Sequence, residues 1–287
     1  MTRPGRTTMR VAARPVCLAL LVLAGGVGTA AASGEEPERS LSRSIQTQFC
    51  PASDDPLGTI HPARLHAVDR LGETGRLGLL AMAGSPRFDR DCALDYLVSL
   101  GERRAIPLLR TILAGSAEPV RLRGRAIRWL AALDDRESIS AVADVLASDE
   151  RYLFRSSVEA LAVFGGARAR AALRAVVAAG RYPTGYRGLL VSKIGELRDV
   201  DAIPLLVSLA DGADDSRRLE SARALAAIGT PEALTAAGAI GQAMKQPGPR
   251  LLLTRELARQ RGARCHPAME SAEEPEAAAA DLDARCR

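Results

Sequence analysis

Apolar residues return along this chain at helical spacing and in pairs of stripes. In RDCALDYLVSLGERRAIPLLRTIL (90–113), Ala93, Leu97 and Leu100 fall at i, i+4 and i+7, on one face of a helix. Gly101 follows, a residue that takes the left-handed cap at little cost. A second stripe then begins with Ile106, Leu109, Ile112 and Leu113, and Pro107 sits in its first turn, where a missing N–H costs nothing. KIGELRDVDAIPLLVSLA (193–210) repeats this grammar with Ile203, Pro204, Leu206 and Leu209. Between them, Ala126, Leu130 and Leu133 lead to Ile139, Val142, Val145 and Leu146.

An apolar residue followed by Gly or Asp marks the end of each first helix. The pairs are Leu71-Gly72, Leu100-Gly101, Leu133-Asp134, Phe164-Gly165, Ile194-Gly195 and Ile228-Gly229, spaced 29, 33, 31, 30 and 34 residues apart. A seventh, weaker run ends at Gly262. A single two-helix module cannot hide both of its stripes and must stack on the next. The pattern predicts an all-α chain: a right-handed α-α superhelix of about six to seven helical hairpins over residues 57–264. Tetratricopeptide units need aromatic positions that are missing here, and an ankyrin-like turn occurs once only, at GTPEAL (229–234).

The segment LRGRAIRWLAALDDRESISAVADVL (122–146) and the two AIPLL cores at 105–109 and 202–206 resemble the HEAT-repeat family, in its short bacterial form also found in phycobilin lyase-type proteins. The family's arginine near the start of the first helix is matched by Arg90, Arg123 and Arg218, whereas His61, Phe154 and Thr184 stand there in other units. The resemblance implies an interaction surface lined by the second helices. Its exposed residues would include Arg110, Thr111, Asp144, Arg174, Val207 and Ser208. Tyr182 and Tyr186, in the GRYPTGYRG stretch, form a second candidate binding loop.

The two ends read differently. Residues 1–32 carry a basic start, a short apolar run from Val16 to Val27 and a small-residue GTAAASG stretch, the order of a cleavable signal peptide. Residues 33–56 read as a polar linker in which Leu41, Ile45 and Phe49 allow a short capping helix, and 265–287 as an acidic, Ala-rich tail. The expected location is therefore periplasmic or secreted. Loss of residues 1–32 would also take Arg3, Arg6, Arg10 and Arg14, reducing a formal net charge of +5 to about +1. No global field would then favour nucleic acid.

Four cysteines remain: Cys50, Cys92, Cys265 and Cys286. They allow three disulfide pairings, of which proximity in sequence favours Cys50–Cys92 with Cys265–Cys286. Free thiols and a metal site are the rival readings; no C-x-x-C pair supports the metal.

Little in the sequence announces catalysis. Some relatives of the HEAT family hold two irons through His-Glu dipeptides, and none occurs here. There is no phosphate-binding glycine loop in the expected mature chain. His66, Asp69 and Glu73 share a face but read as a solvated terminal repeat. Arg121, Arg125 and Arg128 share one side of the densest basic cluster, either a solvated outer face or a site for a phosphate or an acidic partner. The sequence is thus expected to encode an exported, non-catalytic module that binds another protein, with no cofactor, no metal and no nucleic acid. The alternatives are an enzyme or enzyme subunit resembling the HEAT-like lyases, or a polyanion binder.

Overall fold

The computed structural model describes residues 37–50, 62–148 and 150–265. The expected signal peptide, the tail and Cys286 lie outside them, and so does the side chain of Cys265. Every regular element among the described residues is helical. In chain order these are α1 (Pro37–Phe49), α2 (Pro62–Asp69), α3 (Gly72–Ala83), α4 (Arg90–Ser99), α5 (Ile106–Ala114), α6 (Val120–Ala132), α7 (Ile139–Asp144), α8 (Arg151–Phe164), α9 (Gly166–Ala179), α10 (Arg187–Glu196), α11 (Ile203–Ala210), α12 (Asp215–Ile228), α13 (Pro231–Gln242) and α14 (Pro247–Cys265). The chain forms two compact units, divided after Glu102.

In the first unit α1 packs on α3, and α3 on α2 and α4. Ile45 and Phe49 are buried because they recur at i and i+4 on one face of α1. Gly78 of α3 gives that face room: a Cβ there would lie 3.1 Å from Leu41 Cγ. The last residue of this segment is locked covalently, since Cys50 is disulfide-bonded to Cys92 at the start of α4, with the Cα atoms 5.9 Å apart. Polar links reinforce the joint. The Tyr96 hydroxyl donates to the Phe49 carbonyl at 3.3 Å, and the Gln46 amide donates to Cys50 O at 2.7 Å. Burial pushes the Tyr96 phenol up, against the opposing charge of Arg64.

The second unit is a file of helices in two layers. The first helices pack in succession: α6 on α8, α8 on α10, α10 on α12 and α12 on α14. The second helices lie alongside them, α5 against α6, α7 against α8, α9 against α10, α11 against α12 and α13 against α12. Within the second layer α7 meets α9 and α11 meets α13. The stripe residues form the core; Leu109, Ile112, Ile127, Leu130, Val142, Leu161, Leu173, Ile194 and Leu206 are all fully buried.

Left-handed backbone ends most first helices. Gly72, Gly101, Asp134, Gly165, Arg198 and Gly229 all have positive φ. Five of the six coincide with the Gly or Asp positions read from the sequence. The exception is Gly195, which lies inside α10. A Cβ on Gly195 would sit 2.8 Å from Ala224 Cα, so this glycine permits close approach of α10 to α12 rather than a cap. Arg198 takes the left-handed turn instead, at φ 49°. The arginine of the fourth boundary also shifts: Arg187, not Thr184, opens α10, and its guanidinium donates to Leu209 O at 3.3 Å. Arg90, Arg123 and Arg218 make equivalent bonds to the ends of second or neighbouring helices, at Ala83 O, Leu113 O and Ala243 O.

Candidate functional site

Two residues after the end of a first helix the sequence repeatedly places an acid: Glu102 after Leu100-Gly101, Asp135 after Leu133-Asp134, Asp199 after Leu197-Arg198. All three are buried in the structure. The left-handed residue turns the chain back so that the next side chain points inward. A buried carboxylate needs a charged or hydrogen-bonding partner, and an arginine from an earlier helix supplies it. Arg76 approaches Glu102, Arg110 approaches Asp135 and Arg174 approaches Asp199.

The Arg110 clamp borders an open cavity of about 840 Å³ between α5 and α7. Arg110 Nε donates to Asp135 Oδ2 at 2.8 Å and its Nη2 to Oδ1 at 2.5 Å, the bidentate fork that a planar guanidinium makes. Nη2 also reaches Glu137 at 2.8 Å, and the Ser138 hydroxyl donates to Asp135 Oδ2 at 2.5 Å. Arg110 therefore holds the Asp135 carboxyl below the usual carboxylate range, with Ser138 adding to the effect and burial opposing it. The same bonds hold Arg110 firmly protonated. Leu113, Ala114, Ala141 and Val145 give the cavity an apolar lining, while Arg123, Glu137 and Asp144 supply charge around it. Three alanines (114, 141 and 147) explain the volume: small side chains on facing helices leave it unfilled.

Of the residues expected at a binding surface, Arg110 and Asp144 come together in this cavity. Asp144 is exposed and has no polar partner among the described residues. Thr111 is exposed, with its hydroxyl turned back onto Pro107 O at 3.0 Å. Arg174 spends its guanidinium on Asp199, at 2.5 and 2.6 Å, with Asp201 at 3.4 Å. Val207 and Ser208 are exposed on α11, away from the cavity lining. Tyr182 is half-buried, and the Tyr186 ring packs edge-on against Phe154 at 5.4 Å, so this tyrosine anchors α10 on α8. Glu137, Ser138 and the buried Asp135 were not among the expected site residues. Their signal was the D-D-R-E-S run that follows Leu133, in which the first Asp turns and the second enters.

Elsewhere, Asp69 pairs with Arg76 at 3.3 Å, and His66 is exposed. No group of three or more His, Cys, Asp or Glu among the described residues is placed to hold a metal ion. No helix among them is long and apolar enough to cross a membrane.

No protein-family model matches the chain, and no curated protein matches it. Among solved structures, human deoxyhypusine hydroxylase in complex with glycerol is similar at 16% identity and a TM-score of 0.34, over 78% of this chain and 86% of that one. This finding corrects the expectation that the chain is not an enzyme: the similar structure is itself an enzyme.

Proposed function

We propose that this chain is an exported HEAT-like repeat protein that binds another protein through its second-helix layer, with the α5–α7 cavity as the docking site. One observation carries the reading: the opening between α5 and α7 is bordered by both signs of charge over an apolar lining. Its volume falls within the range of roughly 300–1,000 Å³ typical of ligand clefts. The Arg110–Asp135 fork holds one border rigid, so little side-chain entropy is lost when a partner settles there. Asp144, exposed and without a polar partner among the described residues, offers a carboxylate for a basic side chain of the partner. The Cys50–Cys92 disulfide supports an oxidising compartment, in keeping with the signal-like start of the chain.

Site-specific photocrosslinking in the producing cell tests this. A benzoyl-phenylalanine at Ala141 or Asp144 is expected to give one discrete protein adduct in the envelope or medium fraction, and the same group at Arg223 on α12 none. Equal adducts from all three positions, or none from any, would overturn the cavity as a docking site.

A further inference from the structure

The chain is poor in aromatic residues, at 3%, yet three of its rings gather on neighbouring first helices of the second unit. Trp129 lies on α6 and is buried, Tyr152 lies exposed on α8, and Tyr186 stands at the start of α10, packed on Phe154. Two carry an arginine: the Arg125 guanidinium stands 4.7 Å from the Trp129 ring centroid, and that of Arg128 stands 5.4 Å from the centroid of Tyr152. Arg128 also donates to the Tyr152 hydroxyl at 2.9 Å and to Ser156 Oγ at 3.2 Å. These bonds cross from α6 to α8, so the exposed stripes of the two helices form one surface. Gly124 makes the crossing possible, because a Cβ there would run into the Tyr152 ring.

The surface is one-sided in charge. VRLRGRAIRWLAA and RYLFRSSVEALAVF together hold six arginines and a single acid, Glu159. Glu159 is bonded to Arg155 at 2.8 Å, and Arg123 turns away to Leu113 O. Arg121 and Arg151 are exposed and make no polar contact among the described residues. The excess ends at α10, where Lys193 is matched by Glu196 at 2.7 Å.

We propose that this α6–α8 face, distinct from the cavity and independent of it, is a second docking site that takes a short acidic protein segment. Charge sets the sign of the partner, and the rings set its kind. Tyr152 is exposed beneath Arg128, and Trp, Tyr and Arg are the residues that concentrate binding energy at protein interfaces. Extent sets the length. At 13 residues α6 is about 20 Å long, and a packed neighbour adds about 8–10 Å of width. An extended segment of about six residues covers that length. A long polyanion would need the charge to continue over further helices, and it stops at α10.

The full chain can be titrated against a fluorescein-labelled eight-residue Asp/Glu peptide containing one leucine, followed by anisotropy, with inorganic polyphosphate of similar charge run in parallel. Arg121→Glu, at an exposed side chain without polar partners among the described residues, is expected to weaken the peptide by at least about tenfold, as for a hot-spot residue. Arg128→Glu should do the same, while Arg223→Glu on α12 should bind as the parent does, all three keeping the parent's helical circular dichroism. No measurable peptide binding, or equal losses in Arg121→Glu and Arg223→Glu, would overturn the proposal. So would polyphosphate binding tighter than the peptide with the same variant profile, since the face would then be a polyanion site. An unchanged cavity crosslink in Arg121→Glu is expected and separates the two sites.

Discussion

Arg110 and Asp135 meet in a two-pronged hydrogen-bonded pair across 25 residues of sequence, with the carboxylate buried and the guanidinium reaching out toward Glu137. The pair closes α5 onto the turn that follows α6. Removing the arginine alone would leave a buried charge without its partner, which is far worse than removing both. Arg110→Met is therefore expected to lower the thermal midpoint by several degrees. The double variant Arg110→Met/Asp135→Leu should regain part of the loss, as read by calorimetry.

Acid should weaken the fold through the same carboxylate. Arg110 depresses Asp135, and Asp215 is depressed by backbone donors from Gln246 and Lys245 and by Arg218. A carboxyl whose folded pKa lies below its unfolded value of about 3.9 stabilises the fold fully at higher pH. As pH falls through 3.9 the unfolded chain takes up the proton first. The stabilisation shrinks and vanishes once pH passes below the folded value. Urea midpoints are expected to be level above about pH 5 and to fall below about pH 4. Asp135→Asn should be less stable at neutral pH and should lose less on acidification.

Ser157 in the middle of α8 is fully buried, and its hydroxyl has no hydrogen-bond partner among the described residues. An unmet buried hydroxyl costs about 1–3 kcal/mol. Ser157→Ala is expected to raise stability by about 1 kcal/mol, measured as an increased urea midpoint with unchanged slope.

Gly195 and Arg198 predict opposite signs within one turn. Gly195→Ala would press a methyl against the α12 backbone at Ala224 and should destabilise by about 1–3 kcal/mol, the usual cost of overpacking. Arg198 holds a left-handed conformation that glycine adopts without penalty. Arg198→Gly is expected to gain a few tenths up to about 1 kcal/mol, net of the freedom that glycine adds to the unfolded chain. Thermal melts of the two variants beside the parent decide it.

The Cys50–Cys92 bridge closes a sequence separation of 42 residues. In the chain-entropy picture that is worth about 4 kcal/mol. Cys92→Ser should lower the thermal midpoint and expose the Tyr96 region to hydrogen exchange, since the link to Phe49 and Cys50 is released.

How far these features were legible in the sequence follows from their range. The stripes and the left-handed turns are local, so Leu100-Gly101 and Leu133-Asp134 announce both a helix end and a boundary. Gly195 misled because glycine serves two purposes, and only the proximity of Ala224, 29 residues on, shows which one applies. Arg110 and Arg174 read as free surface cations because their buried partners lie 25 residues away in the next module. The cavity was the least legible feature. It depends on how the small side chains of α5 and α7 face each other, a property of packing that no single stripe encodes. Proximity in sequence already favours Cys50–Cys92 among the three pairings, and the end of α1 beside α4 is what lets that pair close.

The arginine forks join each helix only to the turn of the following module, 25 residues ahead at both Arg110 and Arg174. Contacts of such short sequence range cost little loop-closure entropy, so ordering in the second unit can begin at any adjacent pair of modules and spread outward. Opening should run the other way, like a zip, from the terminal helices inward. The α5–α7 border would then loosen whenever its neighbours do, which ties the firmness of the docking site to the number of intact modules beyond it.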